Sequence, residues 1–373
     1  MIAGHDLLVL SRIPGVGPAR LHALVTHFGD TPSIVHASPR ELVRVEGIEQ
    51  KIALNIANFF RHGIPQDTQE YAAGQLSRLQ AAGGRLISFW DDEYPPHLKD
   101  IYDPPPFLFV RGSLTDADTP SIAVVGTRTP TPYGTRLAER FATDLCSLGI
   151  TVVSGLARGI DTVAHSAALT AGGRTLAVIG SGIDVLYPPE NAGLASRLAS
   201  RGALISEFVM GTKPDAVNFP RRNRIISGIT LGTLVVETGI EGGAMITARI
   251  ALDQGREVFA VPSPVTGRVR SGTNLLIREG NAVLTESVED ILAELGNRLR
   301  GAGVVLPLLP EAPPPPLTLF EQKIFDVITD RPVHIDTVAE MSGYPTSEAL
   351  VHLLALEFKG AVRQLPGKLF LRF

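Results

Sequence analysis

Six cations in glycine-, serine- and threonine-rich surroundings carry the chemistry legible in this sequence: Arg128, Arg158, Lys213, Arg221, Arg222 and Arg224. They fall in GTRTPTPYG (126–134), SGLARGID (154–161) and EFVMGTKPDAVNFPRRNRIISG (207–228). GSGIDVLYP (180–188) and ETGIEGGAMITA (237–248) share the same small-residue character. Backbone N–H groups that small residues leave uncovered, aimed from helix N-termini, make anion sites. From Thr212 to Gly228, Lys213 and three arginines face Asp215 alone, an excess of three positive charges. Several cations around such nests suit a chain of phosphates better than one phosphate group. Phe219, Tyr133 and Tyr187 are at hand for base stacking. Any one of these arginines reads as a solvated surface charge; six converging on one sheet edge do not.

Other chemistries find little support. No G-x-G-x-x-G follows the first strand of the sheet, since Gly126 and Gly134 are eight apart with Arg128 between them, and no G-x-x-x-x-G-K-[ST] occurs. No His/Cys set has metal spacing, and no serine stands in a G-x-S-x-G elbow. Neither a metal nor another cofactor is expected. Asp161 and His165 share one helix at i, i+4, but an acid there reads as a group satisfying orphan N–H donors. Glu207 and Glu237, at strand ends, are expected to pair with the loop arginines.

The elements that position these loops follow from periodicity. IAVVG (122–126), TVVSG (151–155), TLAVIG (175–180), ALISE (203–207), TLVVE (233–237), EVFAVP (257–262) and AVLTE (282–286) are nearly continuous apolar runs, as strands covered on both faces require. Leu137, Phe141, Leu145 and Leu148 recur at helical spacing between the first two. The pattern is a doubly wound α/β sheet, whose ligands lie beyond the carboxyl ends of the strands. A helix near 67–81 and strands near 85–89 and 106–111 are expected to extend one edge. This sheet domain spans 66–298. Residues 1–62 form short helices broken by Gly and Pro, 299–316 with four consecutive prolines make a semi-rigid linker, and 317–373 are helical with a closing two-strand pattern.

Composition sets the frame. The 373 residues are 44% hydrophobic and 19% charged, which allows large sheet cores. The single Cys146 fits a reducing compartment. No signal-peptide pattern or bilayer-length apolar run is seen, so the chain reads as cytoplasmic, with no membrane contact. A formal charge of −4 excludes a protein coated in positive charge, leaving nucleic acid only a confined basic groove.

YPPHLKDIYDPPPFLFVRGSL, IAVVGTRTPTPYG, SGLARGIDTVAHSAAL, GSGIDVLYP, FPRRNRIISG and SGTNLLIREGN, in that order, resemble the DNA processing protein A (Smf) family of bacterial transformation proteins, from about Tyr94 to Glu286. The resemblance implies an extended Rossmann-like domain that binds single-stranded DNA, forms homodimers and loads the RecA recombinase onto incoming strands, without catalysis. It implies that Arg128, Arg158, Lys213, Arg221, Asn223 and Arg224 line the DNA groove, with Gly126, Ser154, Gly155 and Phe219 beside them. Three loops depart from the family pattern: AVPSP replaces V-P-G, Gly280-Asn281 replaces G-A, and GGAM (242–245) replaces S-G-S.

At the flanks, PGVGPARLHALVTHFG resembles half of a helix-hairpin-helix, with VEGIEQKIALNI as a degenerate partner, in what the family suggests is a SAM-like module open to DNA or protein contact. The C-terminal segment reads as a winged helix, with a helix starting at Thr337 and the next capped by Thr346 or Ser347. Glu348 and Glu357 on that second helix argue against duplex readout and for a regulatory or protein contact. The alternative is a nucleotide-processing enzyme. LGTLVVETGIEGGAMITA resembles nucleoside-monophosphate phosphoribohydrolases, although Gly232-Thr233 and Glu237 lack the preceding Pro-Gly-Gly of those enzymes.

Overall fold

The short apolar runs align side by side in the computed structural model, which describes residues 2–264, 271–304, 317–329, 332–359 and 361–372. The chain opens with helices α1 (Gly4–Leu10), α2 (Pro18–Phe28), α3 (Thr31–His36), α4 (Pro39–Leu42), α5 (Gln50–Phe59) and α6 (Gln66–Ala81). Strand β1 (Gly84–Ser88), α7 (Pro96–Lys99) and β2 (Phe107–Gly112) follow. The alternating region runs β3 (Ser121–Val125), α8 (Pro132–Ser147), β4 (Thr151–Ser154), α9 (Ile160–Thr170), β5 (Thr175–Val178), α10 (Ala192–Arg201), β6 (Ala203–Ser206), α11 (Asn218–Ile229), β7 (Gly232–Val235), α12 (Gly243–Asp253), β8 (Glu257–Ala260), α13 (Gly272–Arg278), β9 (Val283–Leu284) and α14 (Val288–Gly301).

These strands form one sheet in the order β1-β2-β6-β5-β4-β3-β7-β8-β9. Pairing is parallel from β6 to β9, whereas β1 and β2 join the β6 edge antiparallel. The chain winds outward from β3 through β6, then crosses back to place β7 on the other side of β3. That is the switch point where doubly wound sheets open a crevice at the carboxyl ends. Alternation along β5 shows the two covered faces: Leu176 and Val178 enter one apolar core, Ala177 and Ile179 the other.

The N-terminal helices do not stand apart from the sheet. Leu7, Leu24 and Ile56 belong to the same core as Phe107, Phe109 and Leu204, and Met1–Val305 form one compact unit. The boundary expected near residue 62 is therefore bridged by packing: α1 lies on α6 and β1. The two hairpin turns are true repeats. Val16 N–H donates to the Ile13 carbonyl as Ile48 N–H does to Val45, with Gly15 and Gly47 both at positive φ. Arg20 bridges them, donating to the Gly15 and Gly47 carbonyls at 2.8 and 2.9 Å.

Helix α14 continues to Gly301, past the expected linker start, and residues 305–316 of that proline-rich stretch lie outside the described residues. The second unit contains α15 (Leu319–Phe325), β10 (Val333–His334), α16 (Ile335–Ser342), α17 (Thr346–Phe358), β11 (Val362–Leu365) and β12 (Leu369–Arg372), a winged helix with sheet order β10-β12-β11. Two expectations are corrected there. The cap of α16 is the His334 ring, which accepts from Asp336 N–H, so the helix starts before Thr337. Pro345 precedes α17, which has no side-chain cap, leaving Thr346 and Ser347 inside its first turn.

His165 locks α9 onto the sheet. Its Nδ1–H donates to Thr175 Oγ1 at 2.7 Å, because the Thr175 hydroxyl itself donates to the Val152 carbonyl. The ring is wholly buried with Nε2 unpartnered, and burial, reinforced by the Arg222 charge, lowers its pKa to about 3. The folded state thus favours neutral His165. That advantage is whole above pH 6.5 and is lost as pH falls from 6.5 toward 3. Between neutrality and pH 5 the wild-type larger unit should lose about 2 kcal/mol more stability than His165→Leu in urea titrations. Equal losses would mean that the ring does not titrate as its burial demands.

Candidate nucleic-acid interface

The loops beyond β3, β4, β5 and β7 meet at the carboxyl edge of the sheet, and a short hydrogen-bond set fixes each. Beyond β3, Thr127 N–H donates to the Glu237 carbonyl at 2.7 Å. The Glu237 carboxylate accepts from the Thr131 amide and hydroxyl, both at 3.0 Å, bracing the start of α8. Glu237 is thus engaged by Thr131, where an arginine was expected. Beyond β4, Asp161 accepts from the Gly155 and Ala157 amides at 3.1 and 3.3 Å, holding a loop in which Leu156 sits at φ 57°. Gly159, at φ +76°, lets that loop pass under Thr127, whose carbonyl a Cβ would approach to 2.3 Å. Asp161 is therefore the loop's hydrogen-bond anchor. Burial raises its pKa, and the nearby Arg222 charge opposes that.

The FPRRNR segment is helical, not loop: it forms the first half of α11. Helical spacing sends its arginines to different places. Arg222 is buried, and its Nη1–H donates to the Gly155 carbonyl at 2.6 Å and to the Val178 carbonyl. This joins the ends of β4 and β5 to α11. A Cβ on Gly155 would lie 2.4 Å from that guanidinium, so a larger residue there would have to displace Arg222 from its carbonyl partners. Burial lowers the Arg222 pKa to about 10. Arg224 turns the other way, bonding Glu207 at 2.5 Å and Asp103 at 3.0 Å with a side chain 12% exposed. The Glu207 pairing meets expectation; the placing of Arg224 in the groove does not, because α11 carries it around to its flank. Ser154 is likewise internal, donating to the Val124 carbonyl at 2.7 Å.

What remains is an open cleft of about 410 Å³ at the switch point, adjoining a smaller hollow. Gly126, Arg128, Arg222, Asn223 and the Gly242–Gly243 turn at the start of α12 line the first. Gly155, Arg158, Gly180, Ser181, Tyr187 and Pro214 line the second, and Arg128, Ala157 and Phe219 belong to both. Phe219 is the hub: the Arg128 guanidinium lies 5.0 Å from its ring centre, that of Arg222 5.9 Å, and Tyr187 6.4 Å. Arg158 lies 5.9 Å over Tyr187 and is paired with Glu190 at 2.5 Å. Arg221 is exposed and stacks 5.5 Å over Phe208. Lys213 is exposed and has no partner among the described residues. Among the described residues, Asp161, buried and hydrogen-bonded, is the one carboxylate lining either hollow. The far wall, Thr238, Gly239 and Gly242–Gly243, was signalled only by its glycine content. After β8, Ser263 stands where the family pattern has glycine and bonds Thr273 and Asn274 at the start of α13.

The surface is suited to an extended anion bearing flat rings. Arginine edges and exposed amides can meet phosphates beside the half-buried rings of Phe219 and Tyr187. Among the described residues no group of His, Cys, Asp or Glu could hold a metal ion, and no helix is long and apolar enough to cross a membrane.

Comparison with known proteins matches this architecture part by part. Residues 85–296 match the DNA recombination-mediator protein A family, 309–368 the DprA winged helix domain, and 7–61 a SAM-like helix-hairpin-helix tandem. Protein Smf of Escherichia coli is 40% identical over 301 residues, 78% of each chain. The solved DNA processing protein A of Streptococcus pneumoniae superposes with a TM-score of 0.67 at 31% identity, covering 79% of this chain and 99% of that one. The Helicobacter pylori protein, whose structure is described as showing a single-stranded DNA binding mode, gives 0.52 at 26% identity over 58% and 98%. With the sheet, both flanking modules and 40% identity across 78% of the Escherichia coli relative in agreement, this chain belongs to the DNA recombination-mediator protein A family.

Proposed function

We propose that this protein binds single-stranded DNA across the carboxyl edge of its sheet, shields it, and loads the RecA recombinase onto it during natural transformation. In this reading it acts in the cytoplasm as a homodimer and catalyses no reaction. The observation that carries the binding is the row Arg128–Phe219–Tyr187–Arg158, in which cations and aromatic rings alternate along the cleft and the exposed Glu190 carboxylate is paired with Arg158. Salt-released counterions supply the affinity and ring faces accept any base, so binding is indifferent to sequence. The name of the Helicobacter pylori relative's structure supports the choice of a single strand. Recombinase loading, dimerisation and the setting in transformation rest on the family resemblance.

Arg128, Lys213 and Arg221 present charge that no ion pair offsets among the described residues, whereas Arg158 is held by Glu190. Fluorescence anisotropy with oligo-dT should show log affinity falling with log salt. Arg128→Ala or Lys213→Ala should each reduce the slope by about 0.7, one single-strand phosphate contact. An unchanged slope in both would remove the groove from this site. Glu190→Gln should act in the opposite sense, freeing Arg158 to steepen the slope and tighten binding a few-fold at low salt; weaker binding would mean that Arg158 does not meet the strand. Catalysis is tested separately. The phosphoribohydrolase-like use of Glu237 is disfavoured by its engagement with Thr131. Incubation with nucleoside monophosphates should release no free base on chromatography, and turnover would overturn the non-enzymatic reading.

A further inference from the structure

We infer that the single strand continues past the cleft to the β1–β2 side of the sheet, where Tyr102 stacks an additional base. This rests on the single-strand reading above. The sheet order sets the path. Strands β5, β6 and β2 are successive neighbours, and β2 is antiparallel to β6, so the loop before β2 stands at the same edge as the loop after β6. The β2–β6 pairing ends at Phe109–Ser206, so Phe107 and the preceding 101–106 loop lie beyond the carboxyl end of β6, the side on which Phe208 follows. Aromatic groups therefore step outward along this edge: Phe219 and Tyr187, then Phe208 under Arg221, then Tyr102.

Tyr102 is fully exposed, and its neighbours hold it there. Ile101 on one side is buried against α11. Asp103 on the other bonds Arg224 at 3.0 Å. That pairing places the loop one turn of α11, about 5 Å, from the level of Arg221. Pro104, Pro105 and Pro106 follow, with the Pro105 carbonyl accepting from the Tyr94 hydroxyl at 2.8 Å and the Pro106 carbonyl from Phe89 N–H at 3.0 Å. Prolines remove backbone freedom, so the ring is presented with little ordering cost left to binding. An exposed tyrosine by itself needs no explanation; a rigidly mounted one at the end of an aromatic row does. Charges here are balanced: Asp100, Asp103 and Glu207 stand with Lys99, Arg221 and Arg224. Contact at Tyr102 is accordingly ring to base, with no phosphate clamp.

The test uses the full chain and oligo-dT of about 4 and about 16 nucleotides, the span of single-strand site sizes. Tyr102→Ala should bind the longer strand about tenfold more weakly and the shorter one unchanged, while Tyr102→Phe keeps wild-type affinity for both. With 5-iododeoxyuridine in the longer strand, ultraviolet cross-linking and peptide mass spectrometry should identify Tyr102. Unchanged affinity of Tyr102→Ala for the longer strand, with cross-links confined to Phe219 and Tyr187, would overturn this inference and leave the cleft assignment standing. Wild-type protein that binds neither strand would overturn both.

Discussion

The buried guanidinium of Arg222 is the contact on which the candidate site depends. From the second turn of α11 it reaches the carbonyls that end β4 and β5, and it lies against the Phe219 ring. A cation at such depth is tolerated only when its donors are satisfied. The surroundings are built accordingly: Gly155 gives it room, and the Asp161 carboxylate is near enough to interact with it. The same charge helps keep His165 neutral beneath the sheet. Helix, two strand ends and the aromatic hub are thereby set in one geometry before any ligand arrives, which is how a site limits the entropy lost on binding.

Charge in this protein is sorted by depth. Arg222 and Arg224 are structural, the first in the sheet's upper layer and the second in a carboxylate pair on the flank of α11. Arg158 is half engaged by an exposed acid, an arrangement of little energetic weight in water. Arg128, Lys213 and Arg221 remain outward. A net charge of −4 does not oppose a locally basic surface: the outward cations set the field there, with Asp161 buried in the lining and Glu190 paired with Arg158.

The winged-helix unit shows a different surface. On α17, where a duplex-reading helix would carry Arg, Asn or Gln, Leu350, Val351, Leu354 and Phe358 are exposed. The outward face of α17 is thus apolar, with the acidic Glu348 and Glu357 on the same helix. In the larger unit, the paired hairpins bridged by Arg20 show how a weak second motif becomes a full structural repeat once its partner supplies the missing contact.

The sequence by itself determined the sheet, its parallel strands and the edge where ligands collect. Apolar runs of strand length alternating with helical periodicity admit few other topologies, and glycine-rich segments after strands mark the open end. It also determined that Asp161 would satisfy backbone donors. Tertiary structure decided which cations face the ligand. Arg221, Arg222 and Arg224 are neighbours in the chain, yet each residue of a helix turns about 100° from the last, so one faces solvent, one the interior and one the flank. No local pattern revealed this, because the segment reads as loop until α11 is seen packed on the sheet. Ser154 and Glu237 were equally ambiguous: hydrogen-bonding groups at strand ends are committed by whichever partner the crossing loops bring near. The shared core across residue 62, where a boundary was expected, was hidden for the same reason, since packing between distant segments leaves no mark on the sequence that joins them.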